Sequence, residues 1–217
     1  MHQVTEGSSL LDLADWRRRV AEMWFDWRSG CQTDPGAATA MLRATRDTLL
    51  RTHPQSPLPE RDRERFGGVP TWPYDPAWRL RAPLVLDAGS EPGPAPLPWT
   101  APSTVEMRRI GHVDLNGPLA GQRLPVFWLE GYTGGLFIPF RDLTSGHETY
   151  GAGRYLIDTA KSADHGRDTL TGDLVLDFNV VYHPSCVFDT RWTCPLAPPG
   201  SRLDAAVRVG DRLPVAA

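Results

Sequence analysis

GGLFIPFRDLTSGHETYGAGRYLIDTAK, residues 134–161, and LVLDFNVVY, residues 174–182, decide the fold, because they set polar residues inside runs of strand character. A strand needs only apolar residues at period two, so Asp, Asn, Arg and Tyr within such runs mark a buried polar network or a site. Alternation in LVLDFNVVY puts Leu174, Leu176, Phe178, Val180 and Tyr182 on one face and Val175, Asp177, Asn179 and Val181 on the other. Asp177 and Asn179 are then neighbours that can orient a substrate hydroxyl, bind a metal through oxygen, or hold a backbone turn.

Working outward, strand signals fall at residues 105–110, 124–129, 135–141, 154–158, 174–182 and 203–209, separated by Gly, Asp and Ser turns. Short strands without intervening helices predict a mainly antiparallel small β-barrel or sandwich. Upstream, Leu13, Trp16, Val20, Trp24 and Trp27 recur at helical spacing, with Ser9 and Asp12 resembling a capping box and Gly30 a stop. Asp34 before Pro35 starts a second helix with Ala38, Met41, Leu42, Thr45 and Leu49 on one face, and His53-Pro54 ends it. The fold class is therefore α+β, with an N-terminal helical hairpin over residues 1–53. An irregular Pro- and aromatic-rich wrapping segment with a first strand follows over 54–102, then a β-barrel-like core over 103–217, all one folded unit. Within the wrapping segment, the proline-rich residues 91–102 read as an exposed loop.

The 217 residues carry a formal net charge of -3, which gives no broad attraction for nucleic acid or anionic lipid. Apolar residues make up 41% and charged residues 23%, ordinary for a globular chain, while 21 Pro and 20 Gly point to many turns. The amino terminus lacks a basic region ahead of an apolar core, and no apolar run approaches membrane-spanning length, so a cytoplasmic protein without a membrane partner is expected. Cys31, Cys186 and Cys194 are too few for a secreted disulfide framework and are read as reduced thiols.

Arg154 beside Tyr155 has the fork geometry to hold a ligand carboxylate or phosphate, or to form a salt bridge to Asp158 or Asp177. Asp142 can cap the turn at Thr144, Ser145 and Gly146, or can converge with Glu148 and Asp177 into an acid/base group. Gly151 and Gly153 have no phosphate-loop spacing and fit a bulge or a close strand crossing. His183, Cys186 and Cys194 form H-x-x-C-x7-C, which with His112, His147 or water supplies four soft ligands, yet this is not a recognised zinc pattern and no metal is assigned. Buried structural thiols are one alternative, and a nucleophilic or redox Cys186 with His183 or a bound metal as its activator is another. His2, His147 and His165 sit in segments that read as exposed. Trp72, Tyr74, Trp78 and Trp128 can line an apolar pocket or simply fill a core.

FRDLTSGHETYGAGRYL, followed by LDFNVVYHPSC and CPLAPPGSRL, resembles a bacterial and archaeal family catalogued as domain-of-unknown-function family 1684. DWRRRVAEMW, RDTLLRTHPQSPL and WPYDP extend the resemblance over nearly the whole chain. The pattern falls on Asp142, Thr144, Gly146, Thr149, Tyr150, Gly153, Arg154, Tyr155, Asp177, Asn179, Tyr182, Pro184, Cys186, Cys194 and Pro195. This chain departs from it at His183, where Asn-Pro is more typical, and at Gly200-Ser201, where Glu-Asn is expected. The first departure counts against a family-wide H-x-x-C metal site, and the second removes a carboxylate. The resemblance implies where a site lies and supplies no reaction or cofactor.

The leading expectation is a cleft holding a small polar or anionic molecule through Arg154, Tyr155, Asp177, Asn179, Tyr182, Thr149 and Tyr150. Catalytic candidates are Cys186, Asp177 and Asp142, in a hydrolase or redox enzyme. The remaining alternative is a structural or interaction protein that self-associates through the hairpin and whose polar network is architectural.

Overall fold

The computed structural model describes residues 6–87, 107–130 and 134–214. Helix α1 (Glu6–Gly30) and helix α2 (Pro35–Thr52) pack as an antiparallel pair. Asp34 caps α2 by accepting from the Ala37 N–H at 2.9 Å, Pro35 occupies the first turn, and His53 closes the end with extended backbone. Ser9 lies inside α1 rather than capping it, because the helix already runs from Glu6. The hairpin buries Met23, Trp24, Trp27, Leu42 and Leu49 against Ala163 and Val180, whereas Met41 faces solvent.

Strands β1 (Arg79–Ala82) and β7 (Leu174–Asp177) form one antiparallel pair. The strands β2 (Val85–Leu86), β3 (Met107–Asp114), β4 (Arg123–Leu129), β5 (Gly135–Phe140) and β6 (Arg154–Asp158) form an antiparallel meander in chain order. Pro139 in β5 has no N–H for the ladder, and the register with β6 shifts between Ile138 and Pro139. The main core fills one sheet face with Val113, Leu124, Val126, Ile138, Phe140 and Leu156, packed on Leu176, Phe178, Leu203 and Val207. A smaller cluster of Met107, Phe127, Leu129, Phe137 and Tyr155 covers the other. Among the described residues the sheets are antiparallel and do not close into a barrel. No described helix is long and apolar enough to cross a membrane.

Two expected strands are corrected. The run over 174–182 stops pairing at Asp177 and tightens into a 3-10 turn, Phe178–Val180, before one bridge between Tyr182 and Tyr155 at the β6 edge. Residues 203–209 form no strand, although Leu203, Val207 and Val209 are buried. They lie instead as an irregular strap that meets residues 141–143 through single backbone bonds. Residues 105 and 106 of the first expected strand and the proline-rich loop at 91–102 lie outside the described residues.

The strap and the wrapping segment hold one another. Trp72 N–H donates to the Gly210 carbonyl at 3.1 Å, and Arg212 N–H donates to Pro70 at 2.9 Å. Gly210 has φ +74, and an added Cβ would stand 2.4 Å from Val181 Cγ2 and 2.6 Å from the Val181 carbonyl oxygen. Gly210→Ala combines a disfavoured backbone with a collision, so a loss of about 2–3 kcal/mol is expected. The urea midpoint of the variant measures it, and an unchanged midpoint would show that the strap does not contribute to global stability.

Candidate functional site

Arg154 opens β6 and is only 1% exposed. Its guanidinium donates to the carbonyls of Val209 at 2.7 Å, Asp211 at 3.0 Å and Val207 at 2.7 Å, and to Asp142 Oδ2 at 2.6 Å. Trp72 and Phe140 lie against it, with ring centroids 5.6 and 5.4 Å from Cζ. A ligand anion at Arg154 would have to displace Asp142 or the strap itself. Asp142 accepts from the Thr144 N–H at 2.6 Å and from the Thr144 hydroxyl, which in turn meets Thr149 Oγ1 at 2.9 Å. Thus Asp142, Thr144, Thr149 and Arg154 do converge, on the strap rather than on a cleft.

Asp177 is fully buried and accepts from Arg79 at 2.6 Å, from Asn179 N–H at 2.9 Å and from Asn179 Nδ2 at 3.0 Å. Asn179 binds both polar groups of the Asp75 backbone, at 2.8 and 2.9 Å, so the pair fastens the wrapping segment to the end of β7. Glu148 sits at the surface on Arg208 at 2.9 Å. Of the two readings of Asp142, the turn cap holds and the convergence with Glu148 and Asp177 does not, since each carboxylate faces a different arginine. The aromatic residues also separate: Trp78 packs on Phe178, Trp72 on Arg154, and Trp128 is 37% exposed on the sheet.

His165 was expected at the surface but is buried between Trp24 and Trp27, with ring centroids 5.6 and 5.0 Å away. Its Nδ1 accepts from the Asp177 N–H, which sets the neutral tautomer with the proton on Nε2. Burial, then the charges of Arg79 and Arg28, lower its pKa to about 3. His183 accepts from the Tyr150 N–H through Nε2 at 3.2 Å. Burial lowers its pKa to about 4, with Asp211 opposing and Arg154 and Arg46 reinforcing the shift. The lone pair that would make His183 a base toward Cys186 is thus already occupied.

Of the partners the sequence left open for Cys186, the structure supplies Cys194 and not His183. The Cys186 N–H donates to Cys194 Sγ at 3.4 Å, its thiol lies against Cys194, and the same thiol reaches Tyr150 Oη at 3.7 Å. The short 3-10 turn Ser185–Val187 after Pro184 aims these groups, while Tyr155 Oη holds the far side by donating to the Pro195 carbonyl at 2.5 Å. The Cys186 thiol lowers the Cys194 pKa, against burial and with help from Lys161 and the Cys186 and Ser185 backbone. Cys186 is pushed up by the Cys194 contact and by burial. Tyr182 Oη donates to buried Asp158 at 3.4 Å, and burial raises both groups. Among the described residues no group of three or more His, Cys, Asp or Glu is placed to hold a metal.

Fold and site together define an α+β protein whose buried polar residues bind down a C-terminal strap, beside a pair of interacting thiols. The chain belongs to the family described as protein of unknown function, DUF1684, whose model matches residues 64–212. Its fold is similar to the solution NMR structure of an uncharacterised protein from Haloarcula marismortui, at 28% identity and a TM-score of 0.54. That similarity covers 79% of this chain and 90% of the other. No curated protein matches the chain.

Proposed function

We propose that this is a dithiol–disulfide redox protein in which Cys194 is the attacking thiolate and Cys186 the resolving thiol. The contact between the two cysteines, with the Cys186 N–H on Cys194 Sγ at 3.4 Å, carries the reading. A thiolate is the nucleophile in thiol chemistry, and the Cys186 thiol, the Lys161 charge and the Cys186 and Ser185 backbone all favour the ionised form of Cys194. Cys194 attacks one sulfur of a substrate disulfide, breaking its S–S bond and forming a mixed disulfide, and the first leaving thiolate takes a proton. Cys186 then loses its proton and attacks Cys194 Sγ, closing the Cys186–Cys194 bond and expelling the second thiolate. The two cysteines lose two electrons in total, and the substrate disulfide becomes two thiols. Cys186 and Cys194 are 8% and 1% exposed, so the loop over residues 187–193 has to move aside for the attack.

Incubation with oxidised glutathione, followed by acid quenching, alkylation and mass spectrometry, tests this. The expected product is a Cys186–Cys194 disulfide with Cys31 still reduced, since burial raises the Cys31 thiol to about 11. Cys186→Ser should accumulate glutathione on Cys194, and Cys194→Ser should slow modification at Cys186 by about a hundredfold. Modification of Cys186 at an unchanged rate in Cys194→Ser, or inert thiols in the native protein, would overturn the assignment. Binding of a small molecule by Arg154, Tyr155, Asp177, Asn179 and Tyr182 is the weaker reading, because Arg154, Asp177 and Asn179 are already bound within the chain.

A further inference from the structure

Arg141 and Arg202 are paired residues of the short parallel bridge that joins the end of β5 to the strap. Arg141 N–H donates to the Ser201 carbonyl at 2.8 Å, and Leu203 N–H donates to the Arg141 carbonyl at 2.8 Å. Paired positions put their side chains on one face, with backbones about 5 Å apart. Both arginine stems therefore leave the same face of the bridge, where two like charges are disfavoured. Among the described residues neither side chain has a hydrogen bond or an ion pair, and Arg141 Nε is buried without a partner. The nearby acids are committed elsewhere, Asp142 to Arg154 and Glu148 to Arg208. Asp204, two residues beyond Arg202, forms no ion pair with either.

The backbone keeps Arg141 in place. Gly153 has φ +99, and a Cβ there would lie 3.2 Å from Arg141 Cγ and 2.3 Å from the Phe140 carbonyl, so the arginine stem rests over bare glycine backbone. Arg141 is half-buried and Arg202 exposed, which leaves the pair open on one side. A buried donor without a partner is costly and commonly marks an ion or water that completes it.

We propose that Arg141 and Arg202 form a binding site for a phosphoryl group. Two planar forks supply more than one bidentate contact, which suits a dianion with three terminal oxygens better than a single carboxylate. The site is independent of the cysteine pair, and failure of either assignment leaves the other standing.

Calorimetric titration of the full chain with inorganic phosphate and, separately, with O-phosphoserine, both at constant ionic strength against chloride, tests it. Saturable binding is expected, weakened about ten- to hundredfold in Arg141→Met and in Arg202→Met. Tighter binding of O-phosphoserine points to a phosphorylated small molecule, and tighter binding of inorganic phosphate to the free ion. Arg202 is exposed, so Arg202→Met remains a fair test if Arg141→Met does not fold. No saturable heat with either probe, or full affinity in Arg202→Met, would overturn the proposal.

Discussion

Replacing Arg154 by Met is expected to cost about 3–5 kcal/mol of stability, the range for removing one partner of a buried ion pair. The change leaves the Asp142 carboxyl, 3% exposed, without its arginine, and strips the carbonyls of Val207, Val209 and Asp211 of their donor. Each buried acceptor without a partner adds about 1–3 kcal/mol, tempered by relaxation of the strap. Arg154→Lys should recover only part of the loss, since one ammonium cannot reproduce a planar fork that reaches two strap carbonyls with one nitrogen and Asp142 with the other. The urea midpoint and hydrogen exchange at Val207–Asp211 read the effect, and a strap that stays protected in Arg154→Met would sink the clamp reading. Thiol reactivity of Cys194 in a folded Arg154→Lys protein should change little, which separates the clamp from the redox pair.

Acidification should destabilise the fold steeply below neutral pH, through His165 and His183. Unfolded, both imidazoles bind a proton from about pH 6.5; folded, they stay neutral until about 3 and about 4. Between those values the unfolded chain holds more protons, so stability falls as the pH drops from 6.5 toward 4 and, for His165, on toward 3. By pH 4 each site should remove about 3 kcal/mol. Asp158 acts in the opposite sense: burial raises its folded pKa, so the stability it contributes declines as pH rises through that value. Substituting His165→Asn and His183→Gln keeps an acceptor for the Asp177 and Tyr150 N–H groups while removing the titrating ring. Urea midpoints from pH 7 to pH 4 should flatten in both variants, and an unaltered slope would exclude these histidines as its source.

Much of the hairpin was legible because its signals are local. Asp34-Pro35, Gly30 and His53 act on backbone within a turn or two, and the Trp24 and Trp27 stripe follows helical geometry whatever it packs against. The central strands over 124–129, 135–140 and 154–158 were legible for the same reason. The strap was not. Leu203, Val207 and Val209 have strand spacing, yet part of their backbone is satisfied by the Arg154 side chain in place of a ladder, and periodicity does not register a guanidinium from fifty residues away. His165 read as exposed because its neighbours Asp164 and Gly166 are polar or small, whereas Trp24 and Trp27 arrive from the hairpin to bury it.

The chemistry divides in the same way. By itself the sequence determined the α+β class, the helical hairpin with its caps, and the polar positions Asp142, Arg154, Asp177 and Asn179, since alternation and turn chemistry operate over a few residues. Only the tertiary structure decided what those groups do: Arg154 takes Asp142 and the strap, Asp177 takes Arg79, and Cys186 meets Cys194 instead of the His183 lone pair. The physical reason is that a hydrogen bond or a thiol contact depends on distance in space to within a few tenths of an ångström. That distance is set by how the strap, the wrapping segment and the β6 edge come together.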